Sequence, residues 1–427
     1  MTKKISLKYG NEEITADIPE KNIIFEGDMK YISPISDFEK TLIEKLDNPT
    51  GCKRLKEMVS PDHKILILIE DNTRDTPVYK ILPVLIGYLT NVDVKLENIE
   101  ILTAPGTHRI MTEDEIIEKV GNEIYGKIKI SQHEFDKKED LVDLGFVEVG
   151  ERRIPVNVNK KVQEFDFIIG IGNIVPHSDA GFSGGAKIVQ PGICGYSTTA
   201  ATHIAAALLD EIPLGDVESP CRAGMEKVAK KVGLSFIINT VKNYENEVID
   251  IVVGDFIKAH REGAMISKKS YGVEIPELAD IVVVNSFPCD IDYWQALKGL
   301  ISAYFAVNRG GHIIFATPCT EGLAHNHPKF RDWLKLSYDE ARDLAKTLSP
   351  DDEKADLISA DLAICNSRIR EKARISVVTD GLSDEDCDIL NYKKVDTLQN
   401  AVDAALSENP DSKVGILSLG GICLPIL

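Results

Sequence analysis

The chain has 427 residues, of which 43% are apolar and 27% are charged, and its formal net charge at pH 7 is -19. This apolar content is ordinary for a soluble globular protein, and the length predicts two or three domains, each with its own core. The acidic charge disfavours nucleic acid and anionic membrane surfaces as partners, so an anionic substrate would need a local basic site.

The eight cysteines are scattered along the chain without a CxxC pair, which argues against a disulfide framework and a zinc ribbon. Residues 1–21 contain no apolar core of a signal peptide, and no uninterrupted apolar run approaches the length of a membrane-spanning helix. We therefore expect a cytoplasmic protein with no membrane partner.

Short apolar runs alternate with helical patterns along the chain. Residues 5–19 predict a small N-terminal β-hairpin with a Gly-Asn turn. Strands are predicted at 64–70, 99–104, 165–172, 248–254, 280–286, 311–318, 374–380 and 414–421. Helices are predicted at 78–92, 112–121, 199–209, 221–233 and 256–270. Apolar runs that alternate with helices are typical of parallel strands buried on both faces, so the pattern predicts an α/β fold whose mainly parallel sheets are flanked by helices.

Two domains are predicted, with a boundary near the helix at 256–270, because strand–helix alternation restarts at residue 280. The first, 1–270, would carry the cofactor and the catalytic groups, and the second, 275–405, would be a smaller α/β domain. The last strand, within 412–427, is compatible with either sheet, including a return to the first domain.

Three successive predicted strands end in loops that carry reactive side chains. In open parallel sheets, ligands bind just beyond the carboxyl ends of the strands. Asp71 and Arg74 follow the first strand, His108 follows the second, and His177 and Lys187 follow the third. Taken singly, each histidine has a structural interpretation, as does an Arg74–Asp71 ion pair, but their coincidence at neighbouring strand ends predicts a functional site.

The residue types suggest chemistry for that site. Arginine is the usual bidentate partner of a carboxylate, so Arg74 would anchor an anionic substrate. Two imidazoles near one carbon atom fit paired acid and base catalysis, because imidazole titrates near neutral pH. A racemase or epimerase needs one such group on each side of the stereocentre, and we infer that His108 and His177 serve this purpose.

The stretch 172–192 holds five glycines around His177 and Lys187. FSGGAK lacks the hydroxyl residue of a P-loop, and GIGN at 170–173 lacks the third glycine of a dinucleotide-binding fingerprint. Lys187 is interpreted either as a cationic partner of phosphate or as a nucleophile that holds a cofactor covalently. His203 lies in a predicted helix of alanines and leucines, where it is either a core residue or a ligand of a cofactor or metal.

The other histidines carry weaker signals. His325 and His327 have no third metal ligand nearby and are predicted to lie in a solvated loop. His63, His133, His260 and His312 have no sequence context that singles them out.

Several of these segments resemble one known family. GTHR (106–109), VPHSDAGFSGGAK (175–187), PG (191–192) and His203, together with DNTR (71–74) and QALK (295–298), resemble the nickel-dependent lactate racemase family. The resemblance extends over the whole chain. It implies a nickel pincer nucleotide as cofactor, a pyridinium mononucleotide that holds nickel through sulfur and carbon, supplied by cofactor-synthesis proteins.

The resemblance also implies roles for individual residues. Lys187 matches the lysine that binds the cofactor through a thioamide, and His203 matches the nickel-binding histidine. His108 and His177 match the two catalytic histidines. Substrate-binding positions of the family are matched by Arg74, Gln295 and Lys298, and Asp71 matches an acidic residue of the site.

The implied reaction is reversible hydride transfer from the carbinol carbon of a 2-hydroxy acid to the cofactor, while a histidine removes the hydroxyl proton. One departure concerns the substrate, because Trp294 stands where the lactate enzyme has a tyrosine. Trp294 is either a core residue or a pocket residue that changes specificity, so the expected substrate is lactate or a longer 2-hydroxy acid such as an aldonate. A nicotinamide-dependent dehydrogenase and a non-catalytic carboxylate or cofactor carrier are the alternative functions.

Overall fold

A computed structural model describes residues 1–149, 152–324 and 327–427 of the chain. It confirms the predicted α/β fold with mainly parallel sheets, flanking helices and a small N-terminal hairpin. The prediction for His325 lies outside the described residues.

The strands of the first part of the chain are β1 (Thr2–Tyr9), β2 (Glu12–Pro19), β3 (Ile23–Gly27), β4 (Ile65–Ile69), β5 (Ile99–Thr103), β6 (Lys129–Gln132), β7 (Leu141–Val149), β8 (Arg152–Asn159), β9 (Phe167–Asn173), β10 (Pro176–His177) and β11 (Gly181–Phe182). Those that follow are β12 (Leu234–Lys242), β13 (Val248–Gly254), β14 (Gly272–Glu274), β15 (Ala279–Asn285), β16 (Val307–Ala316), β17 (Ala373–Val378), β18 (Lys393–Lys394), β19 (Val414–Leu417) and β20 (Leu424–Ile426).

The α-helices are α1 (Phe38–Asp47), α2 (Leu55–Met58), α3 (Val78–Thr90), α4 (Glu113–Val120), α5 (Tyr196–Ala207), α6 (Pro220–Val232), α7 (Lys258–Tyr271), α8 (Tyr293–Ala306), α9 (Phe330–Leu334), α10 (Tyr338–Thr347), α11 (Leu357–Lys372), α12 (Asp384–Leu390) and α13 (Leu398–Glu408). The predicted helices correspond to α3, α4, α5, α6 and α7, with ends that differ by a few residues.

Local sequence explains where several of these helices begin and end. The Thr112 hydroxyl accepts a hydrogen bond from the Glu115 N–H, and the Glu115 carboxylate accepts one from the Thr112 N–H. This capping box starts α4. At α6 the Ser219 side chain accepts the Arg222 N–H, Pro220 lies in the first turn, and Gly233 ends the helix in the left-handed conformation.

The first sheet has the strand order β13-β12-β9-β4-β5-β6. Its central strands β4, β5 and β9 are parallel and buried over their full length, as predicted. The prediction that 248–254 is another parallel strand is wrong, because β13 runs antiparallel to β12. The connection between β12 and β13 is a short turn, which can join only antiparallel neighbours. The apolar run of β12 itself was not predicted.

The second sheet has the order β18-β17-β16-β15-β19-β3, and all its neighbouring strands are parallel. Strand β19 lies here, between β15 and β3, which resolves the open position of the last predicted strand. The hairpin β1–β2 also packs against this sheet, because Leu7 and Ile18 belong to the same buried apolar cluster as Ile314. Residues before 28 thus join the second sheet, whereas the division at 1–270 and 275–405 stays a prediction.

The two sheets meet through their crossover helices. Helix α5 connects strands of the first sheet, and nearly all of its small side chains are buried. It packs against α11, a crossover helix between β16 and β17 of the second sheet. None of the helices in the described residues is long and apolar enough to cross a membrane.

One glycine in the 172–192 stretch tests how tightly that stretch is packed. Gly181 has φ +72°, and a Cβ at this position would lie 1.9 Å from the Asp216 carbonyl oxygen. We expect Gly181→Ala to lower the free energy of unfolding by about 2 kcal/mol or more. The measurement is chemical denaturation monitored by circular dichroism.

Gly126→Ala is the matched control, because Gly126 has φ +79° but no atom within 4 Å of an added Cβ. It should cost about 1 kcal/mol through backbone conformation alone. Equal losses in the two variants would contradict the close packing of Gly181.

Candidate functional site

Three loops meet where β4, β5 and β9 end, because these parallel strands present their carboxyl ends at one edge of the first sheet. The Gly106 N–H in the loop after β5 donates to the Gly192 carbonyl at 2.9 Å. Glu70, which follows β4, accepts a hydrogen bond from the Asn173 N–H at 3.2 Å. These bonds join the three loops that carry the predicted site residues.

His108 is held by an aspartate from the neighbouring loop. Its Nδ1 lies 2.8 Å from Asp71 Oδ2, and the Thr73 hydroxyl donates to the other carboxylate oxygen of Asp71 at 2.6 Å. Burial alone would raise the pKa of Asp71, but the hydrogen bond and charge of His108, with Thr73 and Arg74, bring that pKa below its usual value. Asp71 therefore stays ionised and pairs with His108, which leaves His108 Nε2 available for proton transfer.

His177 lies in a small hairpin formed by β10 and β11 within the glycine-rich stretch. Its Nδ1 accepts the Asp179 N–H at 3.1 Å, and its Nε2 lies 3.0 Å from Lys187 Nζ. Burial lowers the pKa of His177 well below its ordinary value, and the positive charges of Lys187, Lys298 and Arg74 lower it further. The imidazole of His177 is therefore neutral and surrounded by cations.

Lys187 has the properties of a nucleophilic amine. Burial lowers its pKa to about 8, and the charge of Arg74 adds to the effect, whereas Asp179 opposes it. Because His177 Nδ1 accepts a backbone N–H, a neutral His177 carries its proton on Nε2. That N–H then points at Lys187 Nζ, which accepts it in the unprotonated state, and the pKa of about 8 makes this state more accessible than in an ordinary lysine.

His203, on α5, faces two carboxylates. Its Nδ1 lies 2.7 Å from Asp361 Oδ2 and 3.8 Å from Asp179 Oδ2, and one ligand atom from each residue falls within a 4.8 Å group that could hold a metal ion. Burial opposes the charged imidazole, but Asp361 raises the pKa of His203 above its ordinary value. Burial, with Asp179, raises the pKa of Asp361 to about 7. The pair therefore retains a proton between Nδ1 and Oδ2.

A small cavity is lined by Lys187, His203 and Asp179. The amine and the imidazole thus share one space. Asp179 and Asp361 were not singled out by the sequence analysis. The available signal for Asp361 was a carboxylate within the otherwise small and apolar run ISADLAIC of α11.

The glycine-rich stretch is held by buried polar side chains that bond to its carbonyl oxygens. The Arg222 guanidinium, fully buried on α6, donates to the carbonyls of Ala180 at 3.1 Å and Gly184 at 3.2 Å. His260 Nε2 lies 2.9 Å from the Ser183 carbonyl oxygen. His260, which had no context in the sequence, is thus a structural support of the site.

Gln295 and Lys298 lie on α8, a crossover helix of the second sheet. Asp292 caps the helix by accepting the Gln295 N–H at 2.9 Å, and Lys298 Nζ donates to Gln295 Oε1 at 2.7 Å. The i, i+3 spacing places both side chains on one face. The positive charge of Lys298 also lowers the pKa of His177, which links this face of α8 electrostatically to the loops of the first sheet.

Trp294 belongs to an aromatic cluster. Its ring stacks on His327 with centroids 3.7 Å apart and meets Phe330 edge-on at 5.0 Å. His327 is 26% exposed in its side chain, so it is a packed residue rather than the solvated one that was predicted. The role of Trp294 in substrate choice stays a prediction.

The GIGN segment has a structural explanation. Gly170 and Gly172 lie inside β9 rather than at a strand-to-helix turn, and a Cβ on Gly170 would lie 2.7 Å from the Ile188 side chain. Gly170 therefore allows the segment 185–188 to pack closely on β9, and the two glycines do not form a dinucleotide-binding turn.

Fold and candidate site together define the class of this chain: an α/β protein with a candidate site at the strand ends of one sheet, to which a helix of the second sheet also contributes a side chain. The lactate racemase N-terminal domain model matches residues 9–212, and the lactate racemase C-terminal domain model matches residues 275–423. The chain therefore belongs to the lactate racemase family and is an isomerase, which confirms the resemblance seen in its motifs.

Individual relatives agree with this assignment. The chain is 28% identical to the lactate racemase of Thermoanaerobacterium thermosaccharolyticum, over 97% of both chains. It is 31% identical to the lactate racemase of Lactiplantibacillus plantarum, over 74% of this chain and 75% of that protein. The lactate racemase apoprotein structure from T. thermosaccharolyticum matches all of both chains with a TM-score of 0.88 and 26% identity. A Thermotoga maritima crystal structure, 24% identical and with a TM-score of 0.68, shares the fold over 93% of this chain and all of that one.

The lowered pKa of Lys187 predicts unusual reactivity in cofactor-free protein. With a pKa of about 8 instead of 10.5, half of its amine is unprotonated at pH 8, and its acetylation rate should level off above about pH 9. Peptide mass spectrometry after brief acetic anhydride treatment between pH 6 and 10 measures that rate. Exposed lysines, with pKa values of about 10.4, are the internal control and should still gain reactivity at pH 10. If the acetylation rate of Lys187 depends on pH in the same way as that of the exposed lysines, the lowered pKa of Lys187 is contradicted.

Proposed function

We propose that this protein racemises or epimerises a 2-hydroxy acid with a nickel pincer nucleotide bound covalently to Lys187. The observation that carries the proposal is the shared site of Lys187, whose pKa is lowered to about 8, with His203 and His177, together with the positive charges of Arg74 and Lys298 that act on His177. Cofactor-synthesis proteins would supply the nucleotide.

The cations explain how an acidic chain would bind an acid. The positive charges of Arg74 and Lys298 both lower the pKa of His177, so both act on the same site. A substrate carboxylate there would offset their mutual repulsion, and the guanidinium provides bidentate geometry. The Gln295 amide, held beside Lys298, would bind the hydroxyl or a carboxylate oxygen.

Proton transfer falls to the two histidines. His108 presents Nε2 to the substrate hydroxyl while Asp71, ionised and bonded to Nδ1, stabilises the imidazolium that forms. Burial and the positive charge of Lys187 lower the pKa of His177; covalent attachment would remove that charge and make His177 a better proton acceptor. With one imidazole on each face of the substrate, either enantiomer would meet a base.

The residues present fit the proposed cofactor. Lys187 offers an amine whose pKa of about 8 makes it easier to deprotonate for the covalent bond, and His203, fixed through Nδ1, offers Nε2 as a ligand for nickel. The bound nickel pincer nucleotide supplies a reversible acceptor for the hydride of the substrate's carbinol carbon. Temporary oxidation to a planar 2-keto acid avoids a carbanion beside a carboxylate, a species too basic for histidine to generate.

The substrate would be lactate or a longer 2-hydroxy acid. Trp294, one residue before Gln295 on α8, differs from the tyrosine of the lactate enzyme and carries a larger ring that stacks on His327. We infer that this exchange changes the shape of the pocket and thereby the preferred chain length.

Lys187→Ala is expected to abolish racemisation, because the cofactor would lose its covalent attachment. The protein is produced anaerobically with cofactor-synthesis proteins and is incubated with a panel of single-enantiomer 2-hydroxy acids. Chiral chromatography then measures how much of the opposite enantiomer has formed. Mass spectrometry of Lys187 tests for the adduct in the same samples.

Lys80→Ala, which alters an exposed lysine of α3, is the matched control and should retain activity. Full activity in Lys187→Ala would contradict the covalent role. If loaded wild-type protein leaves every enantiomer unchanged, the chain is a carrier rather than a racemase.

Asp71→Asn is expected to lower kcat about 10²-fold or more with little change in KM, because the amide cannot stabilise the imidazolium of His108. Steady-state kinetics on the best substrate of the panel provides the measurement. Asp75→Asn makes the same chemical change at an exposed position of the same loop and should leave kcat unchanged. Equal kinetics in the two variants would remove Asp71 from the proton-transfer step.

A further inference from the structure

We propose that Asp361 is a positioning residue that orients His203, so that the second sheet's helix α11 fixes the nickel ligand carried by the first sheet's helix α5. The inference rests on the proposed function for its nickel part. The hydrogen bond from which it starts is independent of the cofactor.

The geometry selects Asp361 over its neighbour. Asp361 Oδ2 lies 2.7 Å from His203 Nδ1, within hydrogen-bonding distance, whereas Asp179 Oδ2 lies 3.8 Å from the same atom. The Asp361 side chain is only 5% exposed, so little water competes for its oxygens. The Nδ1–H of His203 is therefore directed at Asp361.

Such a bond determines what the rest of the imidazole can do. A histidine that donates its Nδ1–H to a carboxylate has its tautomer and ring plane fixed, and its Nε2 lone pair is left for a metal. A carboxylate behind the ring also makes the imidazole a stronger ligand, and loss of such a partner typically weakens metal binding by 10- to 100-fold.

The origin of the two groups adds a structural consequence. His203 and Asp361 are 158 residues apart and lie on the helices through which the two sheets pack. The small side chains of α5 allow α11 to approach closely enough for the bond. The orientation of the His203 imidazole thus depends on the contact between α5 and α11, which are crossover helices of different sheets.

The first test uses cofactor-free protein with ¹⁵N-labelled histidine. We expect a protected Nδ1–H resonance, assigned to His203 by its loss in His203→Asn. Asp361→Leu, of similar shape but without an acceptor, should lose the resonance. Asp361→Asn should keep it, because the amide oxygen accepts the same bond. Cys365→Ala, one turn along α11, is the matched control and should also keep it. Persistence of the resonance in Asp361→Leu would overturn the inference.

The second test uses cofactor-loaded protein challenged with EDTA. Nickel per chain is measured by mass spectrometry of the metal, and the Lys187 adduct by mass spectrometry of the protein. Asp361→Leu should lose nickel at an EDTA concentration 10- to 100-fold lower than wild type, with the adduct intact, whereas Asp361→Asn and Cys365→Ala should stay within a few-fold of wild type.

The outcomes separate the two proposals. Nickel retention in Asp361→Leu equal to wild type, or equal losses in Asp361→Leu and Asp361→Asn, would overturn the positioning role. Absence of both nickel and adduct from wild-type protein would instead contradict the proposed function and with it the nickel part of the inference, while the resonance test still decides the hydrogen bond.

Discussion

The repulsion among cations around His177 is the constraint on which the rest of the site depends. Lys187, Lys298 and Arg74 all disfavour a charge on this imidazole, and burial lowers the pKa of Lys187 itself. Groups that repel one another stay together only on a rigid support. Here the buried guanidinium of Arg222 fixes the glycine-rich stretch by donating to its carbonyl oxygens. The stability of the rest of the fold holds the positive charges together, and an anionic ligand would reduce their repulsion.

Much of the fold and of the site follows from the sequence for a physical reason. Strands β4, β5 and β9 are buried on both faces, so their apolar runs stand out, and their ends locate Asp71, His108 and His177 without further information. The glycines that a close approach requires are equally visible. The family motifs then connect Gln295 and Lys298 to this site, which spacing alone would not have done.

What the sequence analysis missed depends on contacts between distant elements. Asp361 acquires its meaning only from the packing of α11 on α5, and the direction of β13 follows from the turn that precedes it. The pairing of β3 with β19 joins residues almost four hundred positions apart, a contact that no local periodicity encodes. Trp294 was recognised as a departure from the family, yet its stacking on His327 is a tertiary feature.

The sheet topology has a consequence for synthesis on the ribosome. Every strand of the first sheet lies between Ile65 and Gly254, so its partners have all emerged well before translation ends. Strand β3 pairs later, since its neighbour β19 follows it by almost four hundred residues. In the nascent protein, β3 therefore stays unpaired until β19 has been synthesised. The hairpin β1–β2 also lacks its packing surface until the second sheet has formed.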